Sequence, residues 1–445
     1  MKGYEKYVEV ESRWAKYIPE SWTFSNIAEV FIERKENNNP IKTMDILSLT
    51  NTRGVIPYKE KGNIGNKAKE DLTGYRLAYP GDIVFNSMNA VIGSVGLSKY
   101  FGAVSPVYYM LYLRDTAKNN IRFFDYVFQD RVFQSGLNGL GNGILEIRMR
   151  IPMSKLKYVG VPVPPRTEQD QIVRYLDWQV SKINRLIAAK RKQIALMRDN
   201  LKSAVAYYTT HGLGNHELCQ SEIYWLTHYP NDWRVTKLRY IMEKHRREVT
   251  PNAELLICSN SGEVVKRGDG KLGLVASSDD IYQGVTAGDL LIHGMDTWHG
   301  AIAISSFDGM CTPVVHVCTC KEEKRYVAYY LKMMAYTKVF KAISNGVRQN
   351  TSDFRSWDKV GDLLICLPTH DEQVAIADKL DYLTVQTKAG ISFFEKQIEH
   401  LQELRTRLIS DVVTGQVDVR GIEVPKHESV DDVVAESEVE ELEVE

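Results

Sequence analysis

Pro164-Pro165-Arg166-Thr167-Glu168-Gln169 opens the stretch that decides the fold, because Leu367-Pro368-Thr369-His370-Asp371-Glu372-Gln373 repeats its pattern 204 residues later. A long helical pattern follows each. In the first, Val173, Leu176, Val180, Ile183, Ile187, Lys190, Ile194, Met197, Leu201, Ala204 and Tyr208 step by three and four without a break, with Lys190 the only charged member. In the second, Leu380, Thr384, Thr387, Ile391, Phe394, Ile398, Leu401, Arg405, Leu408 and Val412 hold the same register. Such spacing is an a/d seam, the apolar stripe of a coiled coil. The prolines fix where the first helix can start, with Thr167 and Asp170 read as its capping pair, and glycines at 212, 214 and 415 end the helices.

The duplication extends outward from these helices. Ile18-Pro19-Glu20-Ser21-Trp22 returns as Tyr229-Pro230-Asn231-Asp232-Trp233, and Pro80-Gly81-Asp82-Ile83-Val84 returns as Ala287-Gly288-Asp289-Leu290-Leu291. Phe101-Gly102 and Ser105-Pro106 match Asp308-Gly309 and Thr312-Pro313. The offset drifts from 211 through 207 to 204, so the copies differ by small loop insertions. A period this long is a duplicated domain, not a solenoid.

Each copy begins with a mixed α/β region. Short apolar runs, Ile83-Val84-Phe85 and Val107 to Leu113, alternate with Gly, Asn and Asp turns. Helices are predicted over Ile121 to Phe133 and Arg325 to Ile343. The expected fold class is α/β (α+β): two similar globular domains at opposite ends of a long antiparallel two-helix coiled coil, related by a pseudo-two-fold. The expected boundaries are 1–165 and 213–366 for the globular domains, 166–212 and 367–414 for the helices, and 415–445 for a tail. Antiparallel pairing follows because the first helix delivers the chain into the second domain and the second helix must run back. About 40 residues rising 1.5 Å each give roughly 60 Å, at most about 18 base pairs of duplex.

The chain has 445 residues, room for two cores, and an ordinary soluble composition: 44% hydrophobic, 25% charged, 10% aromatic. It has no apolar run of membrane-span length, and Met1-Lys2-Gly3-Tyr4-Glu5-Lys6 lacks a signal-peptide core, so a cytoplasmic location is expected. The net charge of −1 hides an asymmetry, for residues 427–445 carry nine acidic side chains and no Lys or Arg. That tail reads as disordered from 427. The remaining body carries 48 acidic against 56 basic residues, a balance that permits nucleic-acid binding.

Six cysteines at 219, 258, 311, 318, 320 and 366 form no framework. Cys318, Cys320 and His316 share a strand face, with His293, His299 and Cys311 upstream, but without a C-x-x-C pair reduced structural thiols are the better reading than zinc. Gly62-Asn63-Ile64-Gly65-Asn66-Lys67 is a basic turn and not a phosphate loop. The chain has no Asn-Pro-Pro-aromatic or Asp-Pro-Pro-Tyr tetrapeptide, no G-x-S-x-G and no H-E-x-x-H. Together these absences favour a binding protein over an enzyme.

A Pro-Gly-Asp-hydrophobic turn, a Pro-Pro-x-x-Glu-Gln helix start and a long coiled helix, all repeated, resemble the specificity subunit of type I restriction-modification systems. The ending Leu408-Ile409-Ser410-Asp411-Val412-Val413-Thr414-Gly415-Gln416-Val417-Asp418-Val419 is similar to that family's C-terminal signature. The resemblance runs from residue 17 to 420, and departs from the pattern at Leu367-Pro368-Thr369, where a Pro pair is usual. It implies a non-catalytic, DNA-binding subunit whose two target-recognition domains each read half of a split, asymmetric site. The helices would act as ruler and as dock for two methylation subunits, with restriction subunits completing a complex that defends against phage. No cofactor is expected in this chain; S-adenosylmethionine, ATP and magnesium would belong to the partners. No membrane partner is expected.

Base contacts are expected just after the Pro-Gly-Asp strands, from Asn86, Ser87 and Asn89 in the first copy and His293, Asp296 and Trp298 in the second. Arg148 and Arg150 follow the Gly-rich run 136–143, Arg348, Gln349, Asn350 and Arg355 occupy the corresponding place in the second copy, and all carry groups that pair bidentately with guanine or adenine. Lys59, Lys61, Lys67, Lys69, Lys244, Arg246 and Arg247 are candidates for phosphate. Gly81-Asp82, Gly288-Asp289 and the Glu168-Gln169 and Glu372-Gln373 pairs read as structural. Two other readings compete. A self-contained methyltransferase or nuclease needs a Gly-rich βαβ cofactor unit that no segment supplies. A coiled-coil scaffold with two protein-binding domains predicts no salt-dependent DNA affinity.

Overall fold

The computed structural model describes residues 2–51, 53–61, 68–141, 150–268, 281–344 and 354–426. The chain divides into two compact units, Met1–Gln193 with Phe394–Glu445, and Ile194–Phe393. Each therefore holds one α/β half and a stretch of both long helices, Arg166–His211 and His370–Val413.

The same sheet is built in each unit. In the first, Phe31–Arg34, Tyr108–Leu113, Ile83–Asn86 and Val95–Leu97 lie side by side in that order, all antiparallel. In the second, Met242–His245, Val315–Cys320, Leu290–His293 and Ile302–Ile304 repeat the order and the pairing. Four two-stranded pairs accompany each sheet, also matched one for one; Thr23–Asn26 with Gly160–Val163 answers to Arg234–Lys237 with Leu364–Leu367.

The Gly-Asp turn, preceded by Pro80 in one copy and Ala287 in the other, is structural in both. Gly81 and Gly288 adopt φ of 90° and 93°, a left-handed conformation that glycine enters without steric cost. The carboxylates of Asp82 and Asp289 are buried, at 1% and 3% exposed. Each closes its turn by accepting from the backbone N–H three residues earlier, Tyr79 at 2.9 Å and Thr286 at 2.7 Å. Each also holds an arginine by two bonds. Arg34 reaches Asp82 at 2.8 and 3.0 Å, sandwiched between Tyr79 and Tyr112. Arg247 reaches Asp289, with one bond at 3.2 Å, so it is spent inside the fold and not free for phosphate.

The two predicted helices are each split into two. Ile121–Gln129 stops at Asp130, whose side chain accepts from Val132 N at 3.1 Å and so caps Arg131–Gly136. Lys324–Tyr336 stops before Lys338, which takes φ of 61° and starts Val339–Ile343. The apolar spacing continues across both breaks, which is why the pattern reads as one helix. The core of the first unit is phenylalanine-rich, with Phe31 packing 5.2 Å from Phe124 and Phe128 5.2 Å from Phe133. At the place of Phe123 the second unit has Tyr326, whose buried hydroxyl is satisfied by the Cys366 carbonyl at 2.7 Å.

The long helices run antiparallel within each unit. In the first, Asn184 accepts from Arg405 at 3.0 Å while Lys190 lies over the Phe394 ring at 5.3 Å, so one helix rises as the other falls. In the second, Met197 packs against Gly390, and His216, just past the first helix, meets Glu372 at 2.8 Å. Gly212 and Gly415 follow the helix ends with φ of 76° and 73°. The first helix starts one residue before Thr167, at Arg166, with Glu168 and Gln169 donating to the Pro165 carbonyl. Asp170 does not pair with Thr167; it accepts from Asn120 at 2.7 Å and Arg166 at 3.1 Å. At the second helix Thr369 supplies the cap, its hydroxyl accepting from Glu372 N at 3.4 Å, in place of the second proline. After Gly415 the chain lies against the first unit: Asp418 N donates to Lys2 O at 3.0 Å, and Gln171 donates to the carbonyls of Val419 and Ile422.

Candidate nucleic-acid interface

At one end of each central sheet, the strand that begins with the Pro-Gly-Asp turn runs out into a tight loop. In the first unit Asn89 N donates to Asn86 O at 3.2 Å, a 3-10 turn covers Ala90–Ile92, and Gly93 closes the loop with φ of 96°. In the second, Asp296 N donates to His293 O at 3.1 Å, the 3-10 turn is Thr297–His299, and Gly300 closes it at φ of 83°. The backbone is the same and the side chains are not.

A second segment joins this loop in both units. Ile151 N donates to Ser87 O at 2.8 Å, and Phe354 N donates to Gly294 O at 3.0 Å. A Cβ on Gly294 would stand 2.7 Å from the Phe354 carbonyl, so glycine is required for this approach. Arg150 and Arg355, both exposed, are the covalent neighbours of Ile151 and Phe354. Two candidate groups far apart in the sequence are thereby brought to one sheet end, twice.

The individual side chains divide by burial. Ser87 is fully buried and donates to Val107 O at 2.8 Å, so its hydroxyl is used inside the fold. Asn86 is 7% exposed and its carbonyl oxygen accepts from Met88 N at 3.0 Å. Asn89 is half-buried, and its side chain does not cap the following turn. His293 lies with Nδ1 3.1 Å from Asp296 Oδ2, and burial holds its pKa below the ordinary value. Trp298 packs against the core of its unit with its indole N–H enclosed. Asn89 and Arg150, then Asp296 and Arg355, are left with the reach and chemistry to address base edges. Arg148, Arg348, Gln349 and Asn350 lie outside the described residues.

Among the phosphate candidates, Lys59, Lys69 and Arg246 are exposed, Lys244 is half-buried, and Lys61 lies 5.3 Å from the centre of the Tyr58 ring. Lys67 lies outside the described residues. Among the described residues no three His, Cys, Asp or Glu side chains group as metal ligands. Burial pushes the thiols of Cys258 and Cys311 up to about 12, which disfavours the thiolate a zinc ion needs. His316, weighed above as a zinc ligand, instead bonds through Nε2 to the Phe354 carbonyl at 2.7 Å.

The helix-start pair Glu-Gln proves to be an anchor. Gln169 is fully buried; it accepts from Asn120 N at 2.8 Å and donates to Pro164 O at 2.8 Å. Gln373 repeats both bonds, with Glu323 N at 3.1 Å and Pro368 O at 3.0 Å. Asn120 and Glu323 are the N-caps of Ile121–Gln129 and Lys324–Tyr336, so each glutamine ties a domain helix to the start of a long helix. Glu168 accepts from the Trp22 indole at 2.9 Å and from the Tyr4 hydroxyl. In the second unit His216 occupies that role against Glu372, and the Trp233 indole N–H is enclosed without a partner.

Comparison with known proteins places this architecture. Residues 19–196 match the type I restriction modification DNA specificity domain. The type I restriction enzyme MjaX specificity subunit of Methanocaldococcus jannaschii is 24% identical over 449 residues, covering 91% of this chain and 95% of that protein. A structure from work on complex assembly and conformational transition of the type I R-M system covers 90% of this chain and 99% of its own, with a TM-score of 0.62 at 12% identity, a likeness of fold. The HsdS subunit of Thermoanaerobacter tengcongensis covers 90% of this chain at a TM-score of 0.44. Along most of its length the chain is thus similar to type I restriction-modification specificity subunits, and residues 19–196 match that family's DNA specificity domain. No described helix is long and apolar enough to cross a membrane.

Proposed function

We propose that this chain reads a split DNA sequence, each unit addressing one half, and carries no catalysis itself. The carrying observation is the duplicated sheet end: one backbone built twice, presenting Asn89 and Arg150 in one unit and Asp296 and Arg355 in the other. Identical scaffolds with different base-edge chemistry suit a site whose halves differ in sequence. His293, Trp298, Asn86 and Ser87 shape these loops. Arg148, Arg348, Gln349 and Asn350 stand as further base contacts, and Lys59, Lys61, Lys69, Lys244 and Arg246 as phosphate contacts.

The paired helices set the spacing of the half-sites and receive two methylation subunits, with restriction subunits joining them in the cytoplasm. Methyl transfer from S-adenosylmethionine and ATP- and magnesium-dependent cleavage belong to those partners. The test is selection of random duplexes by this chain copurified with its methylation subunit. A motif of two blocks around an unread spacer is expected, with log K falling linearly against log salt. One continuous block, or no selection and no salt dependence, would overturn the proposal.

A further inference from the structure

We infer that Tyr109 and His316 are positioning residues for base reading, one in each unit; the inference rests on the function proposed above. They occupy matching places on the central strands Tyr108–Leu113 and Val315–Cys320, Tyr109 opposite Phe85 and His316 opposite Ile292. Both are buried, at 5% and 0% exposed. The Tyr109 hydroxyl donates to Ile151 O at 3.1 Å. His316 Nε2 lies 2.7 Å from Phe354 O, and because a carbonyl only accepts, Nε2 carries the proton.

Ile151 and Phe354 are thus held at both backbone polar groups. The N–H goes to the loop after the Pro-Gly-Asp strand, and the C=O goes to the side chain from the central strand. Arg150 precedes one of these pinned residues and Arg355 follows the other, so the pin fixes where each exposed guanidinium starts its reach. The two units use different chemistry, a phenol and an imidazole, to place one donor at one point. A side chain needed only for packing could be any apolar residue of that volume; a donor aimed at the same carbonyl twice marks positioning. Bidentate reading of a base edge tolerates little displacement.

The test uses the assembled methylation complex with Tyr109→Phe, His316→Leu or His316→Gln, measuring methylation of duplexes altered in the first or the second half-site. Tyr109→Phe keeps the ring in the core and removes only the donor. It should lower discrimination about 3- to 10-fold at the half-site read by the first unit, the scale of one lost hydrogen bond, and leave the other half unchanged. His316→Leu should do the reverse, and His316→Gln, whose amide can donate to the same carbonyl, should restore part of it. Wild-type discrimination at both half-sites, with only the melting temperature lowered, would overturn the inference; so would equal loss at both. A wild-type complex with no half-site preference would overturn the functional reading itself, and the inference with it.

Discussion

Gln169, in the first turn of one long helix, accepts from the backbone N–H of Asn120, and 204 residues on Gln373 does the same for Glu323. Because the amide of each glutamine also donates to the carbonyl of Pro164 or Pro368, one side chain settles two backbone groups that the fold removes from water. The Glu-Gln motif is therefore the joint between a domain and its helix.

Replacing Gln169 with Leu leaves both groups unpaired and should cost about 2–4 kcal/mol, a fall of roughly 5–15 °C in the unfolding midpoint. Gln373→Leu should cost a similar amount. Hydrogen exchange should place each loss in its own unit, with Asn120 or Glu323 amides exchanging first. Exchange unchanged at those amides would contradict the joint.

Asp82 is almost wholly enclosed and its charge is answered by Arg34. Arg34→Ala strands that carboxylate and should destabilise the first unit by about 3 kcal/mol. Adding Asp82→Asn, which removes the charge and can still accept from Tyr79 N, should recover much of the loss. Thermal unfolding of the single and double variants measures this, and a double variant worse than Arg34→Ala would exclude a stranded charge as the cause.

The units should respond oppositely to acid. Burial lifts the Asp125 carboxyl to about 6, above its ordinary 3.8. Its contribution is present below 3.8 and lost as pH rises through about 6, so the first unit regains stability on going from pH 7.5 to 5.5. Burial holds His316 below its ordinary 6.5, so its contribution is full above 6.5 and lost as pH falls through the lowered value. The second unit weakens over the same range. Unit-resolved hydrogen exchange at the two pH values tests this. Asp125→Asn should reduce the gain, leaving the part due to buried Asp130, and His316→Gln should reduce the loss, leaving the part due to His293; unchanged slopes in the variants would refute the assignment.

Arg355→Ala should reduce binding to the cognate second half-site about 10- to 100-fold, the scale of one bidentate base contact, and relax preference at one position there. Arg150→Ala should do so in the first half. Uniform weakening across all sequences, with the salt slope lower by about 1, would reassign the arginine to phosphate.

Much of this architecture is legible in the residues. The a/d steps give the two helices, and the repeated Gly-Asp and Glu-Gln words give the duplication, because local geometry demands those residue types. The interruptions at Asp130 and Lys338 are not legible, since apolar periodicity runs through them and only the cap and the positive φ mark the break. Arg34 finds Asp82 across 48 residues, and Tyr109 finds Ile151 across 42, through sheet pairing that sequence spacing does not encode. The loops at Asn86 and His293 are identifiable from polarity. Polarity does not show that Ser87 serves the backbone while Asn89 stays half-exposed, because burial decides that division.

A methylome tests the reading of a split DNA site most directly. Cells expressing this chain with its methylation subunit should carry adenine methylation at one split motif, and that motif should vanish when the chain is deleted. An unchanged methylome, with the complex shown to be expressed and assembled, would contradict it.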